Sequence, residues 1–243
     1  MKKEIVFGLH PVIEAIKSGQ EIDKILVQKQ LNDQLKELLQ LAHSYNVPIQ
    51  KVPPEKLKRI TGKNHQGVIA LMSAITFASL DNVIQSAYQQ GRDPFLLMCD
   101  HITDVRNLGA IARTAECAGV DALVLPATGS AQINSDTIKT SAGALNHLPV
   151  CRDRTLPMAA KFINNNGIPL VAITEKADQS IFDADLKGPV CLVVGSEEKG
   201  ITKDLLKVSE QKLYIPMQGH IASLNVSVAS AIVLYQVVKQ RLS

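Results

Sequence analysis

From residue 95 to the end, the chain alternates short apolar runs with helix-length segments, and this alternation limits the fold more than any other feature. Each run is rich in Val, Ile and Leu and is bounded by Gly, Pro or polar residues, which is typical of a buried strand. Helices between buried strands are the usual connections of a parallel sheet. The pattern predicts an α/β domain with a mostly parallel sheet covered on both faces. The predicted strands are 95–99, 122–126, 148–151, 170–174, 190–194 and 213–217, and the predicted helices are 107–118, 135–142, 156–165, 203–208 and 224–241.

Three of these strands lead into polar residues. Segment 95–119 is FLLMCDHITDVRNLGAIARTAECAG, segment 189–200 is PVCLVVGSEEKG, and segment 213–236 is LYIPMQGHIASLNVSVASAIVLYQ. Asn107 and Asn225 stand where helices are expected to start, so each could cap a helix or face a ligand. Gly195 directly follows a strand, where a glycine lets the backbone approach a ligand closely.

The motifs NLGAIARTA, LVVGSEEKG and IPMQGHIASLNVSVA resemble, in order, the three signature motifs of the SpoU (TrmH-type) family of the SPOUT superfamily. Nearer the N-terminus, FGLHPVIEAI and NHQGVIA resemble the substrate-binding domain of the family's ribosomal-RNA branch. The resemblance spans nearly the whole chain. It implies S-adenosyl-L-methionine-dependent 2′-O-methylation of a guanosine ribose in 23S rRNA. The alternatives are a tRNA 2′-O-methyltransferase and a non-catalytic RNA-binding factor of ribosome assembly.

The same resemblance assigns roles to individual residues. It implies catalytic groups at Asn107, Arg113, Glu197, Ser223 and Asn225, and no metal. It implies cofactor contacts, largely through the backbone, at Gly195, Ile215, Met217, Gly219, Ser223 and Leu224. Plainer alternatives stay open: helix caps for the asparagines, a solvated helix position for Arg113 and a solvated charged loop for Glu197. Glu197, His220 and Arg113 are candidate bases, but a guanidinium effectively never deprotonates, so we expect Arg113 to bind an RNA phosphate.

The family's fold adds expectations that the alternation does not give. Residues 1–75 would form a small L30e-like RNA-binding domain, 76–92 a hinge and short helix, and 93–243 the SPOUT methyltransferase domain. The C-terminal segment would thread through a loop as a trefoil knot, an exception to the rule against threading, and the knot region would form a homodimer interface. No Gly-x-Gly-x-x-Gly follows a strand, so the cofactor would be held differently from a Rossmann dinucleotide.

The N-terminal third also alternates, with helices predicted at 11–18, 32–45 and 54–60, and it carries the basic excess. Residues 1–75 hold 11 Lys and Arg against 7 Asp and Glu, whereas residues 76–243 hold 15 against 16. Such an excess favours phosphate contacts, although a solvated lysine surface gives the same count. Within this part, the resemblance makes Lys63, His65 and Gln66 of the loop KNHQG RNA-binding residues; a plain turn is the alternative.

The cysteines and the N-terminal residues predict the cellular compartment of the protein. The four cysteines lack metal-ligand or redox spacing, which predicts buried free thiols in a reducing cytosol. No apolar run reaches membrane-span length, and Glu4 comes too early for a signal peptide. We expect a cytoplasmic protein.

Overall fold

The computed structural model describes residues 5–243, which fall into two compact units. The N-terminal unit holds the described residues up to Thr76 together with Gln132–Ser135, and the C-terminal unit holds Phe77–Ala131 and Asp136–Ser243. Residues 1–4, which the predictions of a 1–75 domain and of an absent signal peptide include, lie outside the described residues.

The N-terminal unit is a small four-stranded sheet with helices on both faces. Its elements are β1 (Ile5–Phe7), α1 (Leu9–Lys17), β2 (Ile22–Gln28), α2 (Asp33–Ser44), β3 (Ile49–Val52), α3 (Pro54–Ile60) and β4 (Val68–Met72). The sheet order is β1-β4-β2-β3, with β2 and β3 parallel and the other pairs antiparallel. Val12 of α1 and Leu38 of α2 pack on one face, and Leu57 of α3 packs on the other.

The C-terminal unit contains a seven-stranded parallel sheet, which confirms the predicted α/β class. Its strands are β5 (Phe95–Asp100), β6 (Ala122–Pro126), β7 (Val150–Asp153), β8 (Leu170–Ile173), β9 (Gln179–Ser180), β10 (Val190–Gly195) and β11 (Gln211–Tyr214). They lie in the order β7-β6-β5-β10-β8-β11-β9. Its α-helices are α4 (Leu80–Gln89), α5 (Val105–Cys117), α6 (Ser135–Thr140, which begins on the last residue of the N-terminal unit), α7 (Leu156–Asn165), α8 (Lys203–Val208) and α9 (Val226–Arg241).

Alternate residues of the central strands face opposite sides of this sheet. Leu96 and Met98 of β5 join the core formed with Ile84 of α4, Ile163 of α7 and Leu205 of α8. The buried faces of α5 and α9, which pack against each other, cover the opposite side. Both faces are therefore covered, and the loops at the strand ends remain available for a ligand.

Several predicted boundaries are wrong by a few residues, and two of them bear on the site. The strand predicted at 213–217 ends at Tyr214, since Pro216 cannot donate to a ladder, and the chain continues irregularly. Asn107 does not cap α5: the cap is Asp104, whose Oδ1 accepts a hydrogen bond from the Asn107 backbone N–H at 2.9 Å. The side chain of Asn107 is therefore left for other contacts.

Three of the four cysteine thiols are buried, as predicted, but Cys117 on α5 is exposed. No helix within residues 5–243 is long and apolar enough to cross a membrane. Across the same residues, no group of three or more His, Cys, Asp or Glu side chains is placed to hold a metal ion.

Candidate active site at the carboxyl ends of the parallel strands

The site is built where adjacent parallel strands of the C-terminal unit end. β5 ends at Asp100 and β10 at Gly195, and these two residues are direct partners in the ladder. β8 and β11 end beside them, at Ile173 and Tyr214. The crevice outside the carboxyl ends of strands is the usual ligand site of open parallel sheets.

A cavity of about 600 Å³, here called the strand-end cavity, lies along these ends. Its wall includes the end of β8 at Ile173, the end of β10 at Gly195 and the irregular chain after β11. Five of the six predicted cofactor residues line it: Gly195, Ile215, Met217, Ser223 and Leu224. Gly219 is not in the wall, and a Cβ placed on it would have no heavy atom of the described residues within 4 Å.

Gly195 is required by the backbone packed against it. A Cβ at this position would lie 2.2 Å from the carbonyl carbon of Gly200 and 2.4 Å from the Ile201 nitrogen. The loop doubles back here because the Gly200 N–H donates to the Ser196 carbonyl at 2.8 Å. The space beside Gly195 is thus filled by the chain's own backbone.

Three predicted catalytic side chains, far apart in sequence, bond to one another. The Asn225 Nδ2 donates to Glu197 Oε1 at 2.6 Å and to Asn107 Oδ1 at 3.0 Å. Glu197 Oε1 also accepts from the Val226 backbone N–H at 3.2 Å and from Asn107 Nδ2 at 3.4 Å. Asn225 is also the predicted cap of α9, accepting from the Ser227 N–H at 3.0 Å. This Asn107–Glu197–Asn225 cluster ties the starts of α5 and α9 to the loop after β10.

A second cavity, of about 240 Å³, borders this cluster and is here called the helix-start cavity. His101, Thr103, Asp104 and Asn107 line it. Both cavities share the wall formed by 196–199 and Val226, so Glu197 borders both. A ligand in either cavity would therefore lie next to Glu197.

Beside the cluster lies a pair that no sequence motif marked, Asp100 and His101. Asp100 is 1% exposed; its Oδ2 accepts from the Thr202 N–H at 2.7 Å, and its Oδ1 is bonded to His101 Nδ1. His101 adopts a left-handed φ of 57°, which points to a constrained turn after β5. The first signature motif starts at Asn107, so the family resemblance does not extend to this pair.

Arg113 is the predicted catalytic residue that the structure leaves apart. It is exposed on α5, beyond both cavity walls, and makes no hydrogen bond or ion pair with another described residue. Ser223, by contrast, lines the strand-end cavity.

The predicted RNA-binding residues lie in the N-terminal unit and are described with it alone. Lys63 Nζ lies 5.8 Å from the centre of the Phe7 ring. His65 Nδ1 accepts from the Gly67 N–H at 3.0 Å, and Gln66 Oε1 accepts from the Leu9 N–H at 2.9 Å.

The fold and the site define an α/β protein with ligand cavities at the carboxyl ends of a parallel sheet. The chain belongs to the SpoU rRNA methylase family, whose sequence model matches residues 94–235. A second family model, for RNA 2′-O ribose methyltransferase substrate binding, matches residues 5–78. The chain is thus an RNA methyltransferase, of a family that is dependent on S-adenosylmethionine.

Individual proteins agree with this assignment. A protein of Staphylococcus saprophyticus named as a TrmH family tRNA/rRNA methyltransferase is 33% identical over 242 residues, covering 99% of this chain and 97% of its own. The SpoU methyltransferase AviRb from Streptomyces viridochromogenes, solved with AdoMet, has a TM-score of 0.62 at 24% identity, over 98% of this chain and 90% of its own. A TrmH/SpoU tRNA modifying enzyme of A. aeolicus has a TM-score of 0.56 at 25% identity, over 66% of this chain and 85% of its own.

Proposed function

We propose that this protein transfers a methyl group from S-adenosylmethionine to the ribose 2′-hydroxyl of a guanosine in 23S rRNA. The observation that carries the proposal is that Glu197 lies in the wall shared by two cavities and is held there by hydrogen bonds from Asn107 and Asn225. In-line transfer needs a donor and an acceptor held on opposite sides of the reacting carbon. We assign the methyl donor to the strand-end cavity and the ribose to the helix-start cavity.

The residues of the strand-end cavity fit this cofactor. Its volume of about 600 Å³ lies within the usual range for small-molecule sites. Apolar Ile215 and Leu224 line it beside polar Thr174 and Ser223, as an adenosine with a charged amino-acid tail requires. When bound, the cofactor supplies a methyl group already activated by a neutral leaving group.

The protein's own task is to orient the ribose and accept its proton. Glu197 Oε1 is held by three N–H donors, so the carboxylate is fixed in position for the hydroxyl. Asn107 and Asn225 hold that carboxylate between the two cavities. Arg113, exposed and unpaired among the described residues, is the group we assign to an RNA phosphate.

An rRNA substrate is favoured over tRNA by the N-terminal unit. The match to the tRNA modifying enzyme of A. aeolicus covers 66% of this chain, whereas residues 5–78 match the substrate-binding family. We assign residues 1–75 to RNA binding, 76–92 to a hinge and 93–243 to catalysis, and we assign the protein to the cytoplasm. Deleting 1–75 should leave S-adenosylmethionine binding intact and abolish most rRNA methylation; undiminished methylation would contradict this division.

We also assign a homodimer to the exposed apolar face of α9. Val228 is 48% and Tyr235 51% exposed, and Ile232 lies between them on the same face. A second copy presenting the same face would bury all three, as in a two-fold interface. Light scattering should give a dimer for the wild type and a monomer for Tyr235→Lys. A monomeric wild type at micromolar concentration would contradict it.

The test of the substrate is a map of ribose methyl groups in RNA from cells lacking this protein. We expect one 2′-O-methylguanosine to disappear from 23S rRNA and to return with the wild-type gene. Loss of a tRNA methyl group instead would favour the tRNA alternative. No loss, together with no S-adenosylmethionine binding by calorimetry, would favour the non-catalytic RNA-binding factor.

A further inference from the structure

The N-terminal unit contains a cavity of about 480 Å³, here called the amide-lined cavity. It lies where β2 ends and α2 begins, and the loop 64–67 closes it. Buried Leu9, Leu35 and Gly67 contribute to its lining. Five amide side chains also line it: Gln28, Asn32, Gln34, Asn64 and Gln66.

The loop is held in one conformation by its own side chains. Gln66 and Gly67 both have left-handed backbones, with φ of 50° and 80°. Gln66 Oε1 accepts from the first N–H of α1, and Asn64 Oδ1 accepts from the Gln66 N–H at 3.4 Å. The Gly67 N–H donates to His65 Nδ1, so this nitrogen carries no proton and neutral His65 has its N–H at Nε2. A loop fixed in this way presents its polar groups without first having to be ordered.

Four of the five amide side chains make one hydrogen bond to a backbone group, which leaves the other end of each amide available. The oxygens of Asn32, Asn64 and Gln66 accept backbone hydrogen bonds, which leaves their NH₂ groups as donors. The Gln28 NH₂ donates to the Gln30 carbonyl at 2.9 Å, which leaves its oxygen as an acceptor. Gln34 makes no hydrogen bond to another described residue, so both ends of its amide are available. The cavity therefore offers a mixture of neutral donors and acceptors.

The donors and acceptors that line the cavity determine which chemical group of an RNA fits inside it. Within the described residues no Lys or Arg lines the cavity, and Lys63 beside it lies near the Phe7 ring, so a phosphate is not the group taken inside. No Phe, Tyr or Trp of residues 5–243 lines it, so base stacking on an aromatic platform is not the mode either. The edge of a nucleobase carries adjacent donors and acceptors, which amide side chains pair with bidentately.

We propose that the amide-lined cavity binds one unstacked nucleobase of the RNA substrate by hydrogen bonds to its edge, while Lys63 binds a neighbouring phosphate. The proposal rests on the proposed function for its RNA partner and adds the group that is recognised. Unpaired bases turned out of a helix are the usual targets of sequence-specific RNA recognition. The cavity would thus select the substrate through a nucleotide other than the one that is methylated.

The experiment measures the affinity of the full-length protein for in vitro-transcribed 23S rRNA over a range of salt concentrations. Asn64→Ala and Gln34→Ala should each weaken binding about tenfold, as for loss of a base-edge contact, with the salt dependence unchanged. Lys63→Ala should instead lower the slope of log affinity against log salt by about one. Gln50→Ala, an exposed amide on β3 outside the cavity, is the matched control and should bind as the wild type does.

Chemical footprinting on the same complexes identifies the base. One unpaired nucleotide should be protected at its Watson–Crick edge by the wild type and by Gln50→Ala, and become reactive with Asn64→Ala. Affinities of both cavity variants within twofold of wild type, with no such nucleotide, would overturn the proposal. S-adenosylmethionine binding and methyl transfer, measured separately, tell the two failures apart: active methyl transfer with no effect of Asn64 or Gln34 sinks the base site alone. Base protection in a protein that transfers no methyl group sinks the proposed function alone.

Discussion

The strand-end cavity of the C-terminal unit and the amide-lined cavity of the N-terminal unit are built by different means. At Gly195 the first is shaped by backbone, with Gly200 so close that no Cβ fits between them. The second is lined by amide side chains, which can be replaced without a backbone clash of this kind. A backbone wall suits a ligand that never changes, whereas a side-chain wall can be altered one residue at a time. This difference suits a fixed cofactor in one unit and a particular RNA in the other.

The largest expected effect is that of adding a side chain at Gly195, where the backbone of Gly200 forms the cavity wall. Gly195→Ala should weaken S-adenosylmethionine binding about a hundredfold, because overlap with the Gly200 backbone costs about 3 kcal/mol and must displace the loop. Calorimetry measures this directly. Gly219→Ala is the control: the same change at the other predicted cofactor glycine meets no described atom within 4 Å and should bind normally. Normal affinity in Gly195→Ala would place the cofactor elsewhere.

The next effect is on turnover. Arg113→Lys should lower the rate of rRNA methylation about a hundredfold with cofactor affinity unchanged, because an ammonium lacks the paired donors of a guanidinium. Single-turnover kinetics with saturating RNA measures it. Arg106→Lys, on the same helix and also exposed, should keep the wild-type rate. An Arg113→Lys variant that keeps most of the wild-type turnover would rule out the forked phosphate contact.

A smaller effect is expected where the cluster also supports the fold. Asn225→Ala should lower the free energy of unfolding by about 1–2 kcal/mol, since it removes the side-chain cap of α9. Activity should fall further than this loss explains, because Glu197 also loses its shortest hydrogen bond. Urea unfolding and methylation assays separate the two losses. Asn225→Ser keeps a capping oxygen for α9 but has no amide to donate to Glu197, so restored stability without restored activity is expected.

The smallest expected effect is the difference in reactivity among the four thiols of the C-terminal unit. Burial raises the pKa of Cys99, next to Asp100, and of Cys151 to about 12, and raises that of Cys191 further. In the folded protein these thiols stay protonated at pH 8, so only exposed Cys117 should react quickly with a disulfide reagent. In denaturant all four should react. Above about pH 9 the unfolded thiols ionise and the buried ones do not, so stability should fall as pH rises.

The elements could be predicted from sequence where local signals mark both ends. Helices Pro54–Ile60, Leu156–Asn165 and Lys203–Val208 have the predicted bounds, with a Pro or Thr at their starts. The order of the seven strands and the return of Gly200 onto Gly195 depend on residues distant in sequence or on loop geometry. The motif residues Asn107, Glu197 and Asn225 were found from family resemblance, but their mutual hydrogen bonds span 28 to 118 residues, which no local pattern encodes.

At the loop 63–67 of the N-terminal unit, the sequence indicated part of the site and left the rest unmarked. Resemblance pointed to Lys63, His65 and Gln66, and the structure adds amides from β2 and α2 that no motif marked. Amide side chains are common on surfaces, so their convergence is visible only after folding.

The central claim is methyl transfer beside Glu197, where the two cavities adjoin, and its most direct test uses S-adenosylmethionine labelled in the methyl group. The protein is incubated with in vitro-transcribed 23S rRNA, and the RNA is digested to nucleosides. We expect the label in 2′-O-methylguanosine for the wild type, and a loss of about a hundredfold for Glu197→Gln with cofactor affinity retained. Label on a base, or full transfer by Glu197→Gln, would contradict the account.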